Sequence, residues 1–484
     1  MKIKNIISGL ILITSLASCN DWLTVYPRTE MPSEVLLTSE QGYKDALTGV
    51  YTLMKSPTLY GAGLSFSNIE YMASLWDITT GTAEYYLATH QFNNSLAKDM
   101  IDAIYQKQFN VIANINSILN NIDKDTAIFK TPGMYNIIKG ECLALRAYIH
   151  FDLIRMYGPL PKENSVSQIK TLPYVTSLSK DLNMPVTYDN YKTSLMKDVT
   201  DAQALLYLSD PILNYSSYDL RTASEKSATT YVDSDFYAHR TIRMNYYGVK
   251  ALEARINLWY GNSSEAYTAA LEVINATNPD QSRKFTLGSA ADMANKLYNL
   301  PTEHIFCMHD YSLYTKYSSK FLTGNLRKGT TETLIKSSMF GNTGTDIREL
   351  NLWELINTLT NIPTCYILKK YLVPESPNGV TIDYRQIPML RLSELYLIAV
   401  EAGSDQTLWD EYRLSRGLPT DPLPADPESI KNNVLVEFRK ELYGEGQLFY
   451  AYKRHNTSKT SILFYSSDLN VNYVVPLPVS EITQ

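Results

Sequence analysis

The sequence predicts a mainly α-helical protein in which helix pairs stack in a tetratricopeptide-like way, interrupted by long irregular loops and a few short strands. Three observations carry that expectation. Apolar residues recur at helical spacing over most of the chain, small residues stand where two helices of a repeat must approach closely, and strand-like runs are few and short.

Helical patterning begins near Gln41. Ile101, Ile104, Ile112, Ile115, Leu119 and Ile122 form one amphipathic helix that breaks at Asp123-Lys124-Asp125. The next helix carries two apolar stripes, Cys142, Leu145, Ile149, Leu153 and Met156 on one side and Ala144, Ala147, Phe151 and Ile154 on another, so it is expected between neighbours. Gly158-Pro159 ends it. A further helix reads from Tyr191 to Leu206. Between Asn245 and Asn275 lies a helix pair: Val249, Leu252, Ile256 and Trp259 mark the first member, Gly261 breaks it, and Asn262 with Glu265 is expected to form a capping box opening the second. Ala254, Gly261 and Ala266 supply the small residues of a repeat. Leu392, Leu395, Ala399 and Ala402 repeat the pattern, and Asp426 caps a last helix with Pro427 in its first turn, followed by Ile430, Val434, Phe438 and Leu442. The stretches 207–239 and 309–351 read as long irregular loops, of the kind that carry function. Strands are expected only at 305–308 and 473–477.

Of the 484 residues 44% are hydrophobic, enough for a large core. The formal net charge of -6 comes from scattered charges, which argues against nucleic acid as a partner. The N-terminus reads as a bacterial lipoprotein signal: Lys2 and Lys4, a mostly apolar run from Ile6 to Ile13, then Leu16-Ala17-Ser18-Cys19. That run is far short of the ~20 residues that span a bilayer, so cleavage before Cys19 and lipidation of that cysteine are expected. Residues 1–18 are then the signal peptide, 19–40 a lipidated tether, and 41–484 a single body whose N-terminal part (about 41–206) and C-terminal part (about 240–484) are intergrown. Cys142 reads as a buried thiol, and a bridge between Cys307 and Cys365 stays open. Thirty-seven Tyr against 13 Phe is a bias toward aromatics with a polar tip, suited to stacking on sugar rings, although each one also reads as a semi-buried packing residue.

A resemblance now enters. Gly140-Glu141, Leu145-Arg146-Ala147-Tyr148, Phe151-Asp152-Leu153 and Tyr157-Gly158-Pro159-Leu160-Pro161 resemble the signature of the SusD/RagB family of outer-membrane lipoproteins of Bacteroidetes. Further landmarks follow in order over essentially the whole chain: Asp21-Trp22-Leu23, Gly49-Val50-Tyr51, Ala251-Leu252-Glu253-Ala254-Arg255, Leu390-Arg391-Leu392-Ser393-Glu394-Leu395, Glu445-Gly446 and Val475-Pro476-Leu477-Pro478. Leu448 and Ala451 depart from it, standing where the family has a basic residue and an aspartate, which leaves ion pairs near the C-terminal helices open. The resemblance implies tetratricopeptide-like repeats forming a right-handed superhelix, anchored by lipid in the outer membrane and facing the cell exterior. It also implies capture of a glycan or other nutrient for a partner SusC-like TonB-dependent transporter; no catalysis, cofactor or ligand-site metal is expected, and a structural ion in the loops stays open.

Binding residues do not carry over by motif, so they are chosen by chemistry. The segment 68–94 offers Trp76, Asp77, Tyr85, Tyr86, His90 and Asn93, stacking faces beside hydrogen-bonding groups. The segment 310–327 offers Tyr311, Tyr314, Tyr317 and Phe321, whose spacing also suits packing on the core. Trp259 reads as core. The alternatives are a receptor for peptide or glycoprotein-derived nutrient and, further off, a surface-anchored glycosidase or a pure protein–protein adaptor. Neither a nucleophile elbow, a phosphate loop nor a zinc motif is present, His304, Cys307 and His309 match no common metal-site spacing, and Glu437, Glu441 and Glu445 line a helical face expected to meet basic neighbours.

Overall fold

The computed structural model describes residues 33–161, 167–179, 182–217, 219–220, 235–329, 332–356, 364–372 and 385–482. The expected signal peptide, Cys19 and most of the expected tether lie outside them. Ten helices of eight residues or more make the body: α1 Glu40–Met54, α2 Ser95–Leu119, α3 Met134–Tyr157, α4 Tyr188–Ser209, α5 Tyr246–Trp259, α6 Ser263–Ile274, α7 Leu392–Gly403, α8 Gln406–Ser415, α9 Pro427–Leu442 and α10 Leu448–His455. They pack in a chain of neighbours: α2 and α4 against α3, α4 against α5, α5 against α6, α6 against α7, and α7 against α8 and α9.

The motif residues explain this stacking physically. A Cβ on Gly140 would lie 2.8 Å from Leu206 Cγ, so glycine lets α3 approach α4. Arg146 on α3 donates from Nε and NH2 to Asp198 on α4, both at 2.7 Å, and Arg255 on α5 holds Glu394 on α7 in the same two-pronged way at 2.7 and 2.6 Å. Glu141 accepts from Tyr51 on α1 and from Arg240 and Arg243 in the lead-in to α5. As its two apolar stripes predict, α3 is buried on nearly every side.

Four strands complete the described residues. β1 His304–His309 pairs antiparallel with β4 Gln386–Arg391, and β2 Trp353–Ile356 with β3 Cys365–Leu368. Cys307 and Cys365 thus sit in different sheets without a disulfide between them; Cys307 Sγ donates to Thr241 O and Gln386 Oε1, both at 3.3 Å. Cys142 is a buried thiol.

Three expectations are corrected. Residues 473–477 form no strand: Tyr473 and Val475 are buried in alternation, but the Val474 amide turns to Asn472 Oδ1 at 3.0 Å instead of a neighbouring strand. Asn262 caps nothing with its side chain, which bridges Lys192 Nζ and Asn257 Oδ1. The stretch 309–351 is not one loop: it holds helical turns at Leu313–Tyr317, Ser318–Leu322, Leu334–Met339 and Ile347–Asn351.

Beneath α9 lies a group of buried charges. Glu441 accepts from Arg348, Arg391 and Arg416, Glu303 from Arg391 and Arg416, Glu445 from Arg391 and Lys370, and Asp346 and Glu437 from Arg348. The departures at Leu448 and Ala451 therefore remove no local ion-pair system.

Candidate functional site

The two segments chosen by chemistry lie about 250 residues apart in the chain, yet the fold joins them. The Asp77 amide donates to Arg327 O at 3.0 Å, the Gly329 amide donates to Asp77 Oδ2 at 2.5 Å, Lys328 Nζ pairs with Asp77 Oδ1, and Thr79 Oγ1 reaches Asn325 Oδ1 at 3.4 Å. A third segment, from near the end of the chain, closes the junction. Lys328 Nζ stands 4.6 Å from the centre of the Phe464 ring, and the Tyr85 hydroxyl donates to Asp468. Asn470 and Asn472 donate their amides to Thr89 O at 3.3 Å and His90 Nδ1 at 3.0 Å.

Burial then sorts the candidates. Trp76 is only 5% exposed and stands among Tyr443, Phe321 and Trp353, with ring centres at 4.8, 5.8 and 6.0 Å. Tyr317 is fully buried and stacks on Phe321 at 5.2 Å. Neither offers a face to a ligand, and both leave the binding set as interior supports of the junction. The reason is helical geometry: Leu313, Tyr317 and Phe321 fall on one face and turn inward, while Tyr314, 49% exposed, turns outward, and Tyr311, 74% exposed, stands in the turn before the helix. Tyr311 belongs to a separate neighbourhood, edge-on to His309 at 4.7 Å and 5.7 Å from the Arg385 guanidinium.

His90 is also a support. Its Nδ1 accepts from Asn472, so the proton sits on Nε2, which donates to Met72 O at 2.8 Å, and burial lowers its pKa to about 4. Tyr85 and Tyr86 remain half-buried at the surface, their rings 5.7 Å apart in edge contact, and Asn93 and Asp77 are exposed.

Glu70 ties this surface to the helical body. Its carboxylate accepts from the amides of Gly444 and Gly446 at 2.8 and 2.9 Å and from Trp76 Nε1 at 3.2 Å. Gly446 has φ +70°, and a Cβ there would lie 2.2 Å from Ser65 O, so only glycine brings this turn against the segment. Burial pushes the Glu70 carboxyl up to about 7 despite those three donors. Raised in the folded state, the group favours folding most at low pH, and that contribution is lost as pH climbs from the carboxylate's usual value through about 7. Replacing Glu70 with Gln is expected to flatten this pH dependence of unfolding, which is worth on the order of 3 kcal/mol; parallel melting curves from pH 4 to 8 check it.

Sequence reasoning missed Lys328, Asn325, Phe464 and Asp468. Their only sequence signal is the aromatic pair Phe464-Tyr465 in a polar stretch without periodicity. Together the surface sets half-buried phenol rings beside carboxylates and amides, a combination that stacks on the C–H faces of a ring and bonds its hydroxyls.

Comparison with known proteins agrees with this architecture. A family model described as "Starch-binding associating with outer membrane" matches residues 21–236. The SusD-like protein P25 of Formosa agariphila is 26% identical over 302 residues, 61% of this chain and 49% of that protein, so the match spans about half the relative's length. A putative sugar binding protein from Bacteroides vulgatus shares the fold with a TM-score of 0.67 at 19% identity, over 92% of this chain and 96% of that one. A laminarin binding SusD-like protein superposes with a TM-score of 0.55 at 16% identity, over 92% and 97% of the two chains. With the motif residues performing their packing roles in order, residues 21–236 are similar to this starch-binding family, and the chain shares the fold of these SusD-like structures.

Proposed function

We propose that this protein is a lipid-anchored receptor on the outer face of the outer membrane that captures a glycan and passes it to a SusC-like TonB-dependent transporter, without cleaving it. The observation that carries the reading is the junction surface, where segments around Asp77, Lys328 and Phe464 meet beside Tyr85. The family description as starch-binding and outer-membrane-associated supports it, as does the neighbour named for laminarin binding. Lipidation at Cys19 supplies the anchor, since each buried methylene adds ~0.8 kcal/mol and several chains hold firmly.

Affinity electrophoresis tests the reading. The purified protein is expected to be retarded in gels containing one member of a panel of plant and host polysaccharides, and to leave that polysaccharide uncleaved. Release of reducing ends would favour a glycosidase, and retardation by none would remove glycan capture. In cells, Cys19→Ser is expected to shift the protein out of the outer-membrane fraction; unchanged fractionation would exclude the lipid anchor.

A further inference from the structure

A groove of about 400 Å³ opens beside α2 and shares no lining residue with the Asp77 surface. Its size falls within the range of small-ligand pockets. Tyr105 and Phe109, one turn apart on α2 with ring centres at 4.8 Å, form its floor, and Pro173 and Leu182 continue the apolar wall. Leu182 is 66% exposed and Met184, two residues on, 67%, an exposure of large apolar side chains that marks a surface made for contact. Around this wall stand the exposed side chains of Gln106, Asn183 and Glu481, the last hydrogen-bonded to the Tyr105 hydroxyl.

The lining fixes the ligand's chemistry. An occupant needs an apolar face for Phe109, Pro173 and Leu182, and along its edge groups that both donate and accept, because each amide does both and the carboxylate only accepts. A pyranose ring has both features. Among the described residues the lining includes a carboxylate and neither lysine nor arginine, so an anionic sugar would meet repulsion without a compensating cation.

We propose that this groove is a second carbohydrate subsite that takes a neutral pyranose segment and excludes uronate or sulfated sugars. The proposal rests on the glycan reading for its ligand class only; the groove is independent of the junction surface.

Saturation-transfer NMR on the full chain with maltose, cellobiose, laminaribiose, xylobiose and digalacturonate tests it. At least one neutral disaccharide is expected to bind and digalacturonate to stay silent. The exposed double variant Gln106→Ala/Asn183→Ala should weaken that disaccharide at least tenfold. Silence from all four neutral disaccharides, binding untouched by the double variant, or equal binding of digalacturonate would overturn the proposal. Silent disaccharides with a retained polysaccharide would remove the groove and leave the junction reading. Groove-dependent disaccharide binding without polysaccharide retention would support the groove and remove the junction reading.

Discussion

Replacing Glu441 with Gln is expected to destabilise the protein by about 3–5 kcal/mol, because it removes one carboxylate from a buried charge system and leaves an uncompensated positive charge among the arginines. Glu441 is 2% exposed and accepts from Arg348, Arg391 and Arg416 at 2.5–2.9 Å. Burial alone would raise its pKa, yet Arg416, Arg391 and Arg348 hold it well below the usual carboxylate range. Glutamine keeps the shape but not the charge, so three guanidiniums lose their shared counter-ion in a site closed to water. Urea unfolding should show a lower midpoint with an unchanged slope. A loss under 1 kcal/mol would contradict the account. The same system sets an acid limit. Burial opposes its ionisation, but Arg348 and Lys440 hold Glu437 down to about 2. Lowered in the folded state, this carboxylate contributes fully above its usual pKa, and the contribution, on the order of 3 kcal/mol, is lost as pH falls toward about 2.

Trp76→Ala is expected to cost about 3–5 kcal/mol, the range for truncating a buried aromatic. The indole fills the space between Tyr443, Phe321 and Trp353 and donates to buried Glu70, so its removal leaves a cavity and takes one hydrogen bond from a carboxylate. Tyr85→Ala removes a half-buried ring at the surface and is expected to change stability by less than 1 kcal/mol. Thermal melts of the pair separate a support from a contact: a large drop for Trp76→Ala and a small one for Tyr85→Ala. Equal drops would contradict the placement of Trp76 in the interior.

The helical body was legible because α2, α3, α5 and α7 bury faces that repeat at helical spacing, and because Asp426 accepts from the Ser429 amide at 2.8 Å as its position before Pro427 predicts. What failed was local pattern without its partner. Residues 473–477 alternate like a strand but pair with no strand among the described residues, and Asn262 has a side chain that finds better acceptors and donors elsewhere. The candidate surface was half legible. Residue type pointed to the segments 68–94 and 310–327, but spacing of three around Tyr311, Tyr314 and Tyr317 could not say which ring turns inward; the packing of Phe321 against Trp76 decides it. Asp468 and Asn472 join from 383 and 382 residues along the chain from Tyr85 and His90, at a distance where no periodicity reports proximity. The buried charges beneath α9 escaped for a similar reason: Glu437, Glu441 and Glu445 read as one acidic face, while their partners Arg348 and Arg391 come from other elements.

Calorimetry of the purified protein, wild type beside Tyr85→Ala and the exposed Asn93→Ala, against the polysaccharide that retards it tests the central claim most directly. The account predicts saturable binding that each variant weakens at least tenfold, about 1.4 kcal/mol, with melting temperatures close to wild type. Binding of the same strength in all three proteins would contradict it.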